Sequence, residues 1–220
     1  MDYGGVSVGK ARIENFTEHG VHAFPDLATA GSEPLSLKFF SDKSSKARKI
    51  SGGWRKGDLG LELSMADLGK HRMGFDISGE FGTALGRKGP ISGSFHEEGT
   101  FNILAPAIAA TYSKKFGPFE ATAKAGLALG LSESNTVSDY VLQEAEKEIE
   151  RGRVNKHTSH ISLAPLISFA AALKIGKDLS AKIEAERYSG IRVGKSSDPA
   201  YHDKGKVNVD TLWLGLEKSF

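Results

Sequence analysis

Val207-Asn208-Val209-Asp210-Thr211-Leu212-Trp213-Leu214-Gly215-Leu216-Glu217-Lys218-Ser219-Phe220 closes the chain, and its reading decides the fold. Leu212, Leu214 and Leu216 alternate with Trp213, Gly215 and Glu217, the period-2 pattern of a strand with two unlike faces. No turn residue and no polar tail follows, where a water-soluble domain ordinarily frays. The expectation is a final strand whose last aromatic residue belongs to the structure.

Working back from that strand, the same alternation recurs. It begins at Val6-Ser7-Val8-Gly9 and returns at residues 47–54, 59–65, 101–112, 119–129, 159–173 and 179–188. The connectors alternate in length. Long polar stretches at 14–46, 67–98, 132–156 and 189–206 are interleaved with tight turns at 55–58, 114–118 and 174–178, where Gly57 and Gly176 are candidates for positive φ. Residues 35–40 read as a strand extension above the first long connector. Ser138-Asp139 reads as the cap of a helix running through Arg151 and stopped by Gly152, with Val141, Leu142, Ala145 and Ile149 on one side. Pro106 and Pro165 fall in mid-strand and lack the ladder N–H, so bulges are expected there. The whole reads as an all-β, eight-stranded antiparallel up-and-down transmembrane β-barrel, one domain over residues 1–220. Short turns lie on one rim and long loops on the other. Each strand pairs with its sequence neighbour and the first closes on the last, leaving no open edge.

Composition narrows the function classes. A net charge of +2 with both signs spread along the chain argues against a nucleic-acid surface. The absence of Cys removes disulfides and thiolate chemistry. No apolar run approaches the roughly 20 residues of a membrane helix. A mean hydropathy of −0.28 suits a barrel in which only alternate strand residues face lipid. Met1-Asp2-Tyr3 enters a strand at once, which is expected of a mature chain whose signal peptide has been removed. Trp54, Tyr112, Phe119, Phe169 and Phe220 are the rings available for an interfacial girdle at one rim.

Several motifs together carry a family resemblance. Lys49-Ile50-Ser51-Gly52-Gly53-Trp54, then Leu59-Gly60-Leu61-Glu62-Leu63 and Ala66-Asp67-Leu68-Gly69, resemble a signature of the OmpA-like outer-membrane β-barrel family. Glu184-Ala185-Glu186-Arg187-Tyr188 is similar to that family's penultimate strand, and the segment ending in Phe220 to its last. Ser64 and Met65 stand where the family usually has Gly and Tyr. The resemblance implies a bacterial outer-membrane protein with a structural, adhesion-type or narrow-pore role and no enzymatic activity. It also implies partners: membrane lipid and lipopolysaccharide, the outer-membrane assembly machinery, and a host or extracellular ligand met through the loops. Leu212, Leu214, Leu216 and Phe220 would form the C-terminal assembly signal.

Side-chain faces give the candidate site. Lys182, Glu184 and Glu186 share one face of their strand, as do Glu120, Thr122 and Lys124 of theirs, and apolar residues fill the opposite faces. A carboxylate in hydrocarbon lacks both water and partners, so the charged faces are expected inside. There Glu62, Glu184, Glu186 and Glu217 would meet Lys49, Lys124 and Lys182 as a packed ionic core, in a lumen just wide enough for side chains to fill. Leu212, Leu214, Leu216 and Phe220 would then face lipid, with Gly215 making room for Trp213.

Other signals are weaker. Residues 190–196 fall one residue short of a phosphate loop. The pairs His19/His22 and His157/His160 read as loop histidines, with no third ligand fixed by spacing. His160 and Ser162 faintly resemble the His and Ser of a barrel lipid A deacylase, without a readable catalytic arrangement. No cofactor is called for. Two alternatives remain: a soluble lipocalin-like barrel holding a small apolar ligand, and a barrel enzyme acting on membrane lipid.

Overall fold

The computed structural model describes residues 2–14, 36–42, 44–80, 91–144, 147–193 and 205–220. They form β1 (Tyr3–Glu14), β2 (Ser36–Asp42), β3 (Ser44–Lys56), β4 (Leu59–Glu80), β5 (Ile91–Phe116), β6 (Phe119–Glu144), β7 (Lys147–Lys174), β8 (Leu179–Arg192) and β9 (Lys206–Ser219). Eight of these close a ring. β1 pairs with β3 on one side and β9 on the other, every other neighbouring pair is antiparallel, and β4 pairs with β5 to complete the circle. Among the described residues β2 pairs with β4 alone, beyond the reach of β3 (Ser36↔Ser78 to Asp42↔Arg72).

The turns at one rim are short because each is built from the residues it requires. Lys56 pairs with Leu59 and Phe116 with Phe119, leaving two-residue loops in which Gly57 and Gly117 each have φ +64°. Glycine with positive φ at the first central position suits a type II′ hairpin, whose twist matches that of the strands. Gly176 does not have positive φ, so the third turn does not depend on it as the sequence suggested.

At the other rim the described residues of the connectors 67–98 and 132–156 are strand. β4 and β5 remain paired out to Glu80↔Ser92, and β6 and β7 out to Glu144↔Lys147. The helix expected over 138–151 is therefore replaced by a hairpin, in which Tyr140 opposes Gly152 and Val141 opposes Arg151. Extending an existing ladder adds hydrogen bonds without the nucleation cost that an isolated short helix bears. The expected extension at 35–40 corresponds to β2. His19 and His22 lie outside the described residues.

Bulges are absent at both prolines. The β5–β6 register is unshifted across Pro106 (Leu104↔Leu131, Ala107↔Ala128), and Pro165 sits in step opposite Leu127. What the prolines interrupt is the ladder. No pairs join Ala105 or Pro106 to β6, and β7 pairs with β8 only from Leu166 onward. Register shifts lie elsewhere, between Asp67 and Lys70, between Leu142 and Gln143 and between Tyr188 and Ile191. The first and last of these contain a glycine in the left-handed region, Gly69 at φ +81° and Gly190 at φ +74°.

Gly57→Ala and Gly117→Ala are each expected to destabilise the barrel by about 1–2 kcal/mol, while Gly176→Ala has little effect. Urea midpoints in detergent micelles check this.

Candidate functional site

Strand alternation divides the side chains into two populations. On the turn-side half of the barrel the outward set is apolar and exposed: Val6 and Val8 on β1, Ile50 on β3, Leu59 through Met65 at alternate positions on β4, and corresponding residues on the other strands. On β9, Leu212, Leu214 and Leu216 are 53%, 60% and 47% exposed and Phe220 is 78% exposed, whereas Trp213 is fully buried. Trp54, Tyr112, Phe119, Phe169 and Phe220, with Phe116, are exposed on the turn side. A contiguous apolar exterior of this extent would drive association in water. It suits the hydrocarbon of a bilayer, which closed barrels cross with every backbone group paired. The fold is that of a transmembrane β-barrel.

The interior of the same half is charged. The seven residues singled out by sequence, Lys49, Glu62, Lys124, Lys182, Glu184, Glu186 and Glu217, are all buried within it. Glu184 on β8 is the hub. Its carboxylate lies 2.9 Å from Lys49 Nζ, 2.8 Å from Lys124 and 3.5 Å from Lys182, and accepts a 2.6 Å hydrogen bond from Ser168 Oγ on β7. Lys124 also reaches Glu62 at 2.6 Å, Lys49 reaches Glu186 at 2.9 Å, and Lys182 reaches Glu217 at 3.3 Å. Glu186 further accepts hydrogen bonds from Tyr188 OH and, at 3.2 Å, from Trp213 Nε1.

Four members of the network were not read from the sequence. Arg55 borders the first tight turn, yet its guanidinium joins Glu120 at 2.9 Å and Glu217 at 2.8 Å, 4.2 Å over the ring of Tyr3. Its parity with Lys49 along β3 was the available signal. Tyr3 donates to Glu62 at 3.1 Å. Ser168 and Tyr188 complete the set. The room for Trp213 comes not from Gly215 but from its cross-strand partner Gly9. A Cβ there would lie 2.7 Å from the indole and 2.3 Å from Leu212 O, while one at Gly215 would strike Ser7.

Toward the loop side the interior changes character. Ile13, Leu68, Phe101, Ile103, Ile191 and Val209 pack into one buried apolar cluster with the Trp213 and Tyr188 rings. The bore is therefore filled in two layers, ionic below and apolar above, and the two aromatic residues join them by donating down to Glu186. Beyond it the projecting ladders carry exposed ion pairs. One is Arg72–Glu98 at 2.6 Å, where the guanidinium holds the Glu98 carboxyl below its ordinary range.

Of the two histidine pairs, the described residues include His157 and His160. His157 and His160 lie on β7 rather than in a loop. His157 is exposed beside Asn135, and His160 faces the interior. Ser132 Oγ donates to Arg192 O at 2.6 Å, and Ser162 Oγ accepts from Arg192 N at 3.0 Å. Both hydroxyls thus hold the backbone of β8. Among the described residues no group of three or more His, Asp or Glu is arranged to hold a metal ion.

No protein-family model matches the sequence, and no curated protein matches it. Solved structures resemble it at low identity. The crystal structure of Neisserial surface protein A is 12% identical, over 99% of this chain and 96% of that one, with a TM-score of 0.46. Outer membrane protein OprG from Pseudomonas aeruginosa is 13% identical, over 100% and 96%, at 0.47. The N-terminal β-barrel domain of Pseudomonas aeruginosa OprF is 10% identical, over 99% and 98%, at 0.38. The likeness is one of fold.

Removing one partner of a buried ion pair leaves the other charge uncompensated, at a typical cost of about 3–5 kcal/mol. Lys124→Met is expected to destabilise the barrel on that scale. Lys124→Met combined with Glu62→Gln should cost less than the sum of the two single changes. A double-mutant cycle of unfolding in micelles measures both.

Proposed function

We propose that the chain is a non-enzymatic, OmpA-like β-barrel of the bacterial outer membrane, with a structural and surface-interaction role rather than that of an open pore. The observation that carries the reading is a bore occupied by side chains beneath hairpins that run on past the apolar belt. Lys124 stands 2.6–2.8 Å from Glu62 and Glu184, contacts that reach across the interior between β4, β6 and β8. An open channel of any width needs that space for water.

The other assignments follow from the two surfaces. The apolar belt is covered by lipid, in the outer leaflet lipopolysaccharide. The projecting β4–β5 and β6–β7 hairpins offer polar ladders to an extracellular or host ligand. Leu212, Leu214, Leu216 and Phe220, exposed on the closing strand, serve as the signal read by the outer-membrane assembly machinery. A soluble lipocalin-like barrel would need the opposite arrangement, with an apolar cavity inside and a polar exterior.

Planar-bilayer recordings of the purified protein should show no large, steady conductance, and such a conductance from the unmodified chain would overturn the plugged reading. Phe220→Ala should lower the amount of assembled barrel in cells by several-fold while leaving refolding in detergent unchanged. Equal yields in cells would remove the signal role.

A further inference from the structure

The outward residues that follow the apolar belt on the loop side mark its edge, and their charges are unevenly distributed. On most strands this first polar residue is acidic or neutral: Asp67 on β4, Asn102 on β5, Glu133 on β6, Ser159 on β7 and Asp210 on β9. Arg187 on β8 is held by Glu14 at 3.0 Å and by Asp210 at 3.5 Å. On β1 and β3 the edge is wholly basic. Lys10 follows Val8, Arg48 follows Ile50, and Arg12 and Lys46 come next. All four side chains are exposed, and none forms an ion pair with a described residue.

The register makes this arrangement costly. Lys10 lies directly opposite Lys46, with Arg48 opposite Val8 one step below and Arg12 opposite Ser44 one step above. The four cations form a compact diamond across one strand pair. Like charges directly opposed in a sheet repel; Asp67 stands directly opposite Arg48 and Asp210 directly opposite Arg12, so Lys10 and Lys46 are the pair of the four with no acid across from either of them. Such a cluster at the border of a hydrocarbon belt is matched by an anion held at that same depth.

We propose that Lys10, Arg12, Lys46 and Arg48 form a binding site for the phosphate of an anionic lipid headgroup, on the outer wall of the barrel at the loop-side edge of the belt. This rests on the membrane reading above. The headgroup phosphate of a lipid whose chains lie along Val6, Val8 and Ile50 arrives at the height of Lys10 and Arg48. Guanidinium groups grip phosphate through two parallel N–H bonds, and Lys contributes a mobile point charge. The phosphate relieves the Lys10–Lys46 repulsion as it binds.

The test is native mass spectrometry of the whole protein released from mixed micelles containing phosphatidylglycerol or phosphatidylcholine. The wild type should retain phosphatidylglycerol several-fold more than phosphatidylcholine. Lys10→Ser with Lys46→Ser should lower that retention about tenfold. Lys114→Ser with Lys115→Ser, which removes the same charge at the turn rim, should change it less than twofold. Circular dichroism establishes that each variant has kept its strands. Equal loss in both double variants, or no preference for the anionic lipid, would overturn the proposal while leaving the barrel in the membrane. Release of most of the lipid by millimolar inorganic phosphate would assign the site to a free anion and overturn the lipid assignment. A protein that stays monodisperse without detergent and retains neither lipid would overturn the membrane reading itself.

Discussion

The burial of Glu184 is the constraint on which the rest of the structure depends. A carboxylate with its side chain at 0% exposure is tolerable only when cations and donors replace its water. The replacements come from Lys49 on β3, Lys124 on β6, Lys182 on β8 and Ser168 on β7. Only a closed ring of the right circumference brings those strands to one point. The hub therefore fixes barrel closure as much as closure fixes the hub. A slip of one residue in β8 would turn Glu184 outward into hydrocarbon and put Ile183 or Ala185 among the lysines, so register and charge pairing enforce each other.

The two layers of the interior divide the work. The ionic layer gives specificity, since each carboxylate has particular partners. The apolar layer above it, built on Ile13, Leu68, Phe101 and Val209, shields those pairs from water entering at the loop side and so strengthens them. Trp213 and Tyr188 belong to both layers, apolar in their rings and polar at the atoms that reach Glu186. Their position accounts for the close approach at Gly9, where any larger residue would displace the indole.

Much of this was legible in the sequence where the two faces of a strand meet different surroundings. Leu212-Trp213-Leu214 and Ile183-Glu184-Ala185 carry a clear period of two because one face meets lipid and the other a packed lumen. Above the belt that contrast fades. At Glu97, Ser138 and Asn135 the strand faces are polar on both sides, so paired extensions looked like loops, and Val141 through Ile149 fitted a helix equally well. Arg55 was hidden by its nearness to a turn. The apolar upper lumen was written in Val207, Val209 and Ile13, but an inward apolar residue and a lipid-facing one look alike until register is known. The prolines misled for another reason: losing one N–H interrupts a ladder without shifting it.

The chain contains 2 tryptophans, and the structure places them on opposite sides of the barrel wall. Trp54 is 43% exposed on the belt, and Trp213 is buried in the lumen. Fluorescence of the single-tryptophan variants Trp213→Phe and Trp54→Phe in bilayers of brominated lipid measures this division directly. An ion-filled interior within an apolar wall predicts strong quenching of Trp54 and almost none of Trp213. Quenching of Trp213 as strong as that of Trp54 would contradict it.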